Sequence, residues 1–283
     1  MPPSHPTGHP TGLGREREAL LRRRLTTEGL DVRSDTIPLR ADGRRVFPLS
    51  FAQARLWFLD RLHPGNVFYT IDVALRLDFA VDPALLQRCV DEVVARHEAL
   101  RTTFETRQDE PVQVVHASLP VRVAVVDVSG VPDPQAAAVA AATAQARTPF
   151  DLTTGPLMRV TLVRLAASRW VLAVAVHHIV ADGWSMRVLF AEIAALYSAH
   201  ARRVAPDLPT LAIQYPDFSL WQRDRLTGTH LDGQLDYWTQ HLAALPVLDL
   251  PTDRPRPPVQ TFTGATTTFT LPAPAVAALR RTT

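Results

Sequence analysis

Two adjacent histidines, His177 and His178, are the residues of this sequence best suited to proton transfer near neutral pH. Asp182 and Gly183 follow shortly and complete the segment His-His-x-x-x-Asp-Gly. A carboxylate at this spacing stabilises a turn or pairs with a cation. A glycine there reaches backbone angles closed to other residues and lets a substrate approach. The segment predicts a site in which one imidazole accepts or donates a proton.

Metal binding is an alternative for the same segment, since His and Asp are common zinc ligands. Successive side chains of a strand point to opposite faces, so His177 and His178 do not easily ligate one ion. No cluster of Cys and His at metal-ligand spacing lies nearby. The opposite orientations of the two side chains instead predict that one histidine lines a cavity while the other faces the packed interior.

A buried strand and a helix are predicted to position the two histidines. Residues 170–176 are almost wholly apolar and rich in Val, which is typical of a strand buried on both faces. Ser185 is predicted to cap the helix that follows, to about residue 200, as Ser50 and Asp82 are predicted to cap two earlier helices. Its apolar residues recur at helical spacing: Val188, Leu189, Ile193, Leu196 and Tyr197.

Four segments resemble motifs of the condensation domains of nonribosomal peptide synthetases, in the order of that family. Residues 177–185 resemble HHxxxDGWS, and residues 50–59 resemble SxAQxRLWxL. Residues 96–104 resemble RHExLRTxF, and residues 215–222 resemble YxDFAxWQ with Ser at the Ala position. The aromatic residues of 215–222, Tyr215 among them, are predicted to be packing anchors of a helix. The resemblance implies an α/β fold, an α+β two-layer sandwich like that of chloramphenicol acetyltransferase.

The resemblance also implies roles for the signature residues. His178 matches the second histidine of the family and would take a proton from an attacking amine or position that amine. His177 would be mainly structural. Asp182 would organise the turn, and the N–H of Gly183 would lie near the developing oxyanion.

Four further residues are expected to support the site. Arg55 stands among apolar residues of a predicted helix, and a buried Arg needs a carboxylate, so we predict an ion pair between Arg55 and Asp182. Trp184 and Ser185 complete the signature. Arg101 belongs to the RHExLRTxF motif, whose role is structural in the family. A position facing the substrate channel is the alternative for Arg101.

Composition excludes several other classes of function. The net charge is only +2 and no apolar run is long enough to span a bilayer, so neither nucleic acid nor a membrane is an expected partner. The single Cys, Cys89, excludes an intrachain disulfide, fits a core position and favours a cytoplasmic location.

The family implies carrier-bound substrates and no cofactor held by this chain. Donor and acceptor peptidyl carrier domains would present thioesters on phosphopantetheine arms, and an adenylation domain would lie nearby in the same synthetase. The family has two lobes that enclose a tunnel, whereas this chain supplies the first lobe and the crossover. We therefore expect a missing C-terminal lobe as a further partner.

The sequence divides into four regions. Residues 1–14 are predicted to be disordered, and residues 15–45 to form an amphipathic helix (15–29) and a linker. Residues 46–205 are expected to form the N-terminal lobe. Residues 206–283 are expected to form the crossover helices, one of them at 235–242, and the start of a truncated second lobe, with a strand at 266–271.

Other functions remain open from the motifs alone. A non-catalytic lobe that docks carriers, or a remnant lobe, would carry the same motifs. Ester-forming acyltransferases of the superfamily share HHxxxDG. Epimerization domains share the same core, although Trp184 favours condensation, and heterocyclization domains replace the histidine pair with Asp.

Overall fold

A computed structural model describes residues 36–40, 43–255, 257–258, 264 and 267–282. The predicted disordered segment 1–14 and the predicted helix 15–29 lie outside the described residues. The described residues form two compact units, one up to Leu231 and one from Asp232 onwards. The histidine pair belongs to the first unit.

The first unit contains both strands and helices. The strands are β1 (Val46–Pro48), β2 (Thr70–Leu77), β3 (Thr102–Arg107), β4 (Glu110–Val115), β5 (Val123–Asp127), β6 (Met158–Ala166) and β7 (Arg169–His177). The helices are α1 (Phe51–Leu62), α2 (Pro83–Arg96), α3 (Pro134–Ala146), α4 (Gly183–Ala201), α5 (Tyr215–Arg225) and α6 (Gly228–His241), and a 3-10 helix spans Glu98–Arg101.

Two sheets organise these elements. The larger sheet has the order β2-β7-β6-β5, in which β7 runs antiparallel to β2 and β6, and β5 runs parallel to β6. The smaller, antiparallel sheet has the order β1-β4-β3. The predicted α/β fold is therefore confirmed, with the histidine strand in the interior of the larger sheet.

The core lies on both faces of β7, as the continuous apolar run predicts. Every residue of β7 after Arg169 is buried. Helices α2 and α4 pack together over one face, where the cluster includes Val90, Val93, Val174, Val176, Leu189 and Ile193. Cys89 is fully buried in the same cluster, which confirms its predicted core position.

Local capping fixes the starts of the helices. Ser50 caps α1 and Asp82 caps α2, as predicted. The prediction that Ser185 caps α4 is wrong, because Asp182 is the N-cap and Ser185 lies three residues into the helix. Both residue types accept hydrogen bonds from free amides at a helix start, so propensity alone does not separate them.

The second unit contains the end of α6 and a last helix, α7 (Ala273–Thr282). The predicted helix at 235–242 is confirmed but begins earlier, at Gly228. Residues 267–271 are not in a strand, contrary to the predicted strand at 266–271, whose first residue lies outside the described residues.

Candidate active site

His177 ends β7 as a buried, neutral side chain. Its ring is 4% exposed and packs edge-on against Phe150, with ring centroids 6.1 Å apart. The N–H of Ile179 donates to His177 Nδ1 at 3.1 Å, so the ring proton sits on Nε2. Burial, and then the neighbouring His178, lower the pKa of His177 to about 4. The ring is therefore uncharged at neutral pH.

His178 has the opposite orientation and is exposed. Its backbone N–H donates to the carbonyl of Tyr69 at 2.7 Å, which continues the pairing of β2 with β7 past the end of the strand. The side chain lines a cavity of about 250 Å³. The two histidines thus diverge as the strand periodicity predicts.

The His178 cavity is formed where α1, α4 and α5 begin or approach the end of β7. Its walls carry both apolar and polar groups. The lining residues are Ala52, Gln53, Arg55, Leu56, Tyr69, His178, Ile179, Val180, Ala181, Asp182, Ser185 and Tyr215.

Asp182 holds the start of α4. One carboxylate oxygen, Oδ1, accepts from Ser185 N–H at 2.8 Å and from Ser185 O–H at 2.6 Å. These bonds to Ser185, followed by the charge of His178, hold the pKa of Asp182 below its usual range. The carboxylate is consequently ionised beside His178 at neutral pH.

The predicted ion pair between Arg55 and Asp182 is not formed. Arg55 is exposed and lines the His178 cavity, and no ion pair within 4.0 Å joins it to Asp182. Helix α1 turns Leu56 and Trp57 towards the core and Arg55 towards solvent. A solvent-exposed guanidinium needs no carboxylate partner. Asp182 already accepts hydrogen bonds from Ser185.

Gly183 is the first residue of α4 and has no positive φ, so the expected unusual backbone angles are absent. A Cβ built on Gly183 would meet nothing within 4 Å, which fits the expected open approach. Trp184 follows with 70% of its surface exposed, and the guanidinium of Arg187 lies 5.1 Å from its ring centroid.

Arg101 does not face the His178 cavity. Its guanidinium donates to the carbonyl of His116 and lies 3.5 Å from the carboxylate of Glu98. Glu98 also binds Arg40, which in turn contacts the fully buried Asp217 of α5 at 3.2 Å. The structural role expected for the motif at residues 96–104 therefore fits this network. The alternative placement of Arg101 in the substrate channel does not.

A second cavity, of about 240 Å³, also lies against the loop between β7 and α4. It shares Val180, Ala181, Ser185 and Tyr215 with the His178 cavity, and most of its surface is apolar. Its other lining residues are His97, Ala99, Leu100, Val176, Trp184, Met186, Val188, Leu189, Leu211, Ile213 and Gln214. The two cavities are therefore neighbours.

Tyr215 is a site residue that the sequence does not reveal as such. The sequence predicts a packing anchor at Tyr215 and a helix cap at Ser50, yet Tyr215 lines both cavities and its Oη lies 2.9 Å from Ser50 Oγ. Their spacing along the chain carries no signal of this contact.

The described part of the chain offers no metal site and no membrane-spanning helix. It holds no group of three or more His, Cys, Asp or Glu side chains arranged to bind a metal ion. None of its helices combines the length and apolarity required to cross a bilayer.

Comparison with known proteins identifies the family. The condensation domain family model matches residues 44–283. A linear gramicidin synthase of Brevibacillus parabrevis is 47% identical over 227 residues, which are 79% of this chain and 4% of that protein. Phosphinothricin tripeptide synthetase PhsC of Streptomyces viridochromogenes is 40% identical over 271 residues, 95% of this chain and 25% of that protein.

Solved structures agree with this assignment. The starter condensation domain of rhizomide synthetase RzmA aligns with a TM-score of 0.66 and 25% identity, over 72% of this chain and 49% of that chain. The X-domain in complex with OxyB from teicoplanin biosynthesis aligns with a TM-score of 0.67 and 31% identity, over 80% of this chain and 50% of that chain. This chain thus spans about half of each solved chain.

The chain belongs to the condensation domain family of nonribosomal peptide synthetases. Domains of this family are acyltransferase-type catalysts whose standard role is amide-bond formation between carrier-bound substrates, and they use no cofactor of their own. The family and fold predicted from the motifs are therefore confirmed.

Proposed function

We propose that this chain is the N-terminal lobe and crossover of a condensation domain that joins a donor aminoacyl or peptidyl thioester to an acceptor aminoacyl thioester. One observation carries the proposal: His178 is exposed in a cavity at the end of a buried strand, and the ionised Asp182 lies beside it. An exposed imidazole held by a rigid strand is suited to meet a substrate amine.

The reaction needs no redox partner. The amine nitrogen of the acceptor attacks the carbonyl carbon of the donor thioester, so that a C–N bond forms and the C–S bond breaks. The proton lost by the amine ends on the leaving thiolate of the donor arm. His178 takes that proton in transit or orients the amine by a hydrogen bond.

The other signature residues act on His178 indirectly. His177 fills the interior beneath it as a neutral ring bonded to the N–H of Ile179. Asp182 fixes the start of α4 and places a negative charge near His178. Gly183 leaves open space beside the helix start, where its N–H has no intrahelical acceptor.

The substrates and partners follow from the family. Two peptidyl carrier domains present the thioesters on phosphopantetheine arms, and a neighbouring adenylation domain supplies activated amino acid. A C-terminal lobe closes the tunnel over the His178 cavity. The reaction takes place in the cytoplasm.

The test is His178→Ala in a polypeptide that carries both lobes, with product amide measured on the acceptor carrier. We expect the rate to fall by roughly 10²- to 10⁴-fold, the usual contribution of a positioned acid or base. His230→Ala, which removes an exposed histidine of α6, is the matched control. Amide formation by His178→Ala at near the parent rate would refute the assignment.

A non-catalytic docking lobe is the second candidate. It is favoured by the likeness to the X-domain, which was solved in complex with OxyB. Carrier binding without turnover by the two-lobed protein would support docking, and amide product would exclude it.

A further inference from the structure

The hydrogen bond between Ser50 and Tyr215 has an assignable direction. Ser50 is fully buried, and its Oγ accepts from Gln53 N–H at 3.2 Å and lies 2.9 Å from Tyr215 Oη. Within the described ranges, Tyr215 Oη is the one acceptor that the Ser50 hydroxyl reaches. A buried hydroxyl that fails to donate costs about 1–3 kcal/mol, which favours the arrangement in which Ser50 donates and Tyr215 accepts.

That direction leaves the hydroxyl proton of Tyr215 available to another acceptor. Tyr215 lines the cavity that holds His178, so this proton has access to a ligand there. Burial raises the pKa of Tyr215, the bond to Ser50 opposes that rise, and the charge of Asp182 adds to it. The hydroxyl is therefore protonated, and able to donate, at neutral pH.

The Tyr215 side chain is also held in place. It is the first residue of α5, and its ring lies against Phe218 with centroids 5.5 Å apart. The start of α5 is tied by Gln214 N–H, which donates to Asp217 Oδ2 at 2.7 Å. A donor fixed before the reaction stabilises developing charge without a cost of reorganisation.

Ser185 and Arg55, two of the other donors that line the cavity, are less suited to this task. The hydroxyl of Ser185 already donates to Asp182 at 2.6 Å. Arg55 is exposed to solvent on α1, where water competes for its guanidinium. Gly183, whose N–H is expected from the motif to serve the oxyanion, is not among the residues that line the His178 cavity.

We propose that Tyr215 is a catalytic hydrogen-bond donor that binds the carbonyl oxygen of the donor thioester while the acceptor amine attacks. The inference rests on the function proposed above. As the C–N bond forms, the π electrons of the carbonyl move onto that oxygen. Tyr215 keeps its proton and stabilises the charge, which returns to carbon when the C–S bond breaks.

The test compares two substitutions that delete the same hydrogen bond, Tyr215→Phe and Ser50→Ala, in the two-lobed protein with donor and acceptor carriers. Only Tyr215→Phe removes the hydroxyl from the cavity. We expect kcat to fall about 100-fold in Tyr215→Phe with KM for the acceptor carrier unchanged, as for loss of an oxyanion donor. Ser50→Ala should lower kcat less than fivefold, although both variants lower the melting temperature.

Equal losses of kcat in the two variants, or a loss in KM alone, would overturn the inference and leave Tyr215 as a structural partner of Ser50. His178→Ala, assayed alongside, separates this failure from failure of the proposed function. If His178→Ala is inactive while Tyr215→Phe is as active as Ser50→Ala, the inference alone fails. If the parent protein forms no amide, both fail.

Discussion

Asp182 Oδ1 receives two hydrogen bonds from the same residue, from the N–H and the O–H of Ser185, at 2.8 and 2.6 Å. The two bonds connect the end of the loop between β7 and α4 to the first turn of α4. Both donors lie three residues past the acceptor, so the contact is entirely local. It accounts for the low pKa of Asp182 and for the fixed position of the segment that carries His178.

We predict that Asp182→Ala lowers the free energy of unfolding by about 1–2 kcal/mol, the usual cost of removing an N-cap. Asp182→Asn should cost less, because Asn also caps helices. The folded pKa lies below the unfolded value of about 3.9, so the stabilisation is complete above that pH and is lost as pH falls through the folded pKa. Urea unfolding of the variants at pH 7 and pH 3 measures both effects.

Arg187→Ala is the control for this series, since Arg187 is exposed on the same helix and does not contact Asp182. A stable Asp182→Ala protein that has lost activity would contradict the capping role and would indicate direct participation of Asp182 in the chemistry.

The sequence predicts well those features that depend on neighbouring residues. The apolar run of β7 and the caps Ser50 and Asp82 are local patterns, and the structure confirms them. The choice between Asp182 and Ser185 as cap failed because the two residue types stand three apart, and either can fill the position. Only the position at which the turn ends distinguishes them.

The error at Arg55 and the unforeseen contact between Tyr215 and Ser50 have a different origin. Phe51 and Phe58 make α1 look apolar on every side, although they are 40% and 63% exposed, so the pattern places Arg55 among buried neighbours. Tyr215 meets Ser50 only because α5 packs beside β1. Packing decides which face of a helix is buried, and a single sequence does not contain that information for distant segments.

The absent ion pair yields a prediction by double-mutant cycle. Arg55→Ala, Asp182→Ala and the double variant should show a coupling free energy below about 0.5 kcal/mol, because no ion pair joins the two side chains. Thermal or urea unfolding supplies the three differences. A coupling above about 1 kcal/mol would mean that the ion pair forms in solution.

His177 should make the stability depend on pH. Its folded pKa of about 4 lies below the unfolded value of about 6.5, so the unfolded chain binds the proton more tightly. Stability is full above the unfolded pKa and falls as the pH drops towards 4. The expected loss between pH 7.5 and pH 5 is about 2 kcal/mol. Urea unfolding at the two pH values measures it.

His177→Asn is the variant that tests this assignment, because its side-chain oxygen can accept the N–H of Ile179 without titrating. The part of the pH dependence that is due to His177 should disappear in this variant and persist in His178→Ala. An equal fall of stability in His177→Asn and the parent would show that other groups cause the dependence.

Asp217 lies at the centre of a hydrogen-bond network at the start of α5. Asp217 is fully buried and accepts hydrogen bonds from Arg40 N–H and Arg40 Nη1 at 3.2 Å and from Gln214 N–H at 2.7 Å. Asp217→Ala leaves these donors unpaired and should cost about 3 kcal/mol of unfolding free energy. Because the same bonds fix the start of α5, the variant should also lose kcat through a misplaced Tyr215. Asp207→Ala, an exposed carboxylate ahead of α5, should change stability by less than about 0.5 kcal/mol. Equal stability of the two variants in urea would show that the network does not hold α5.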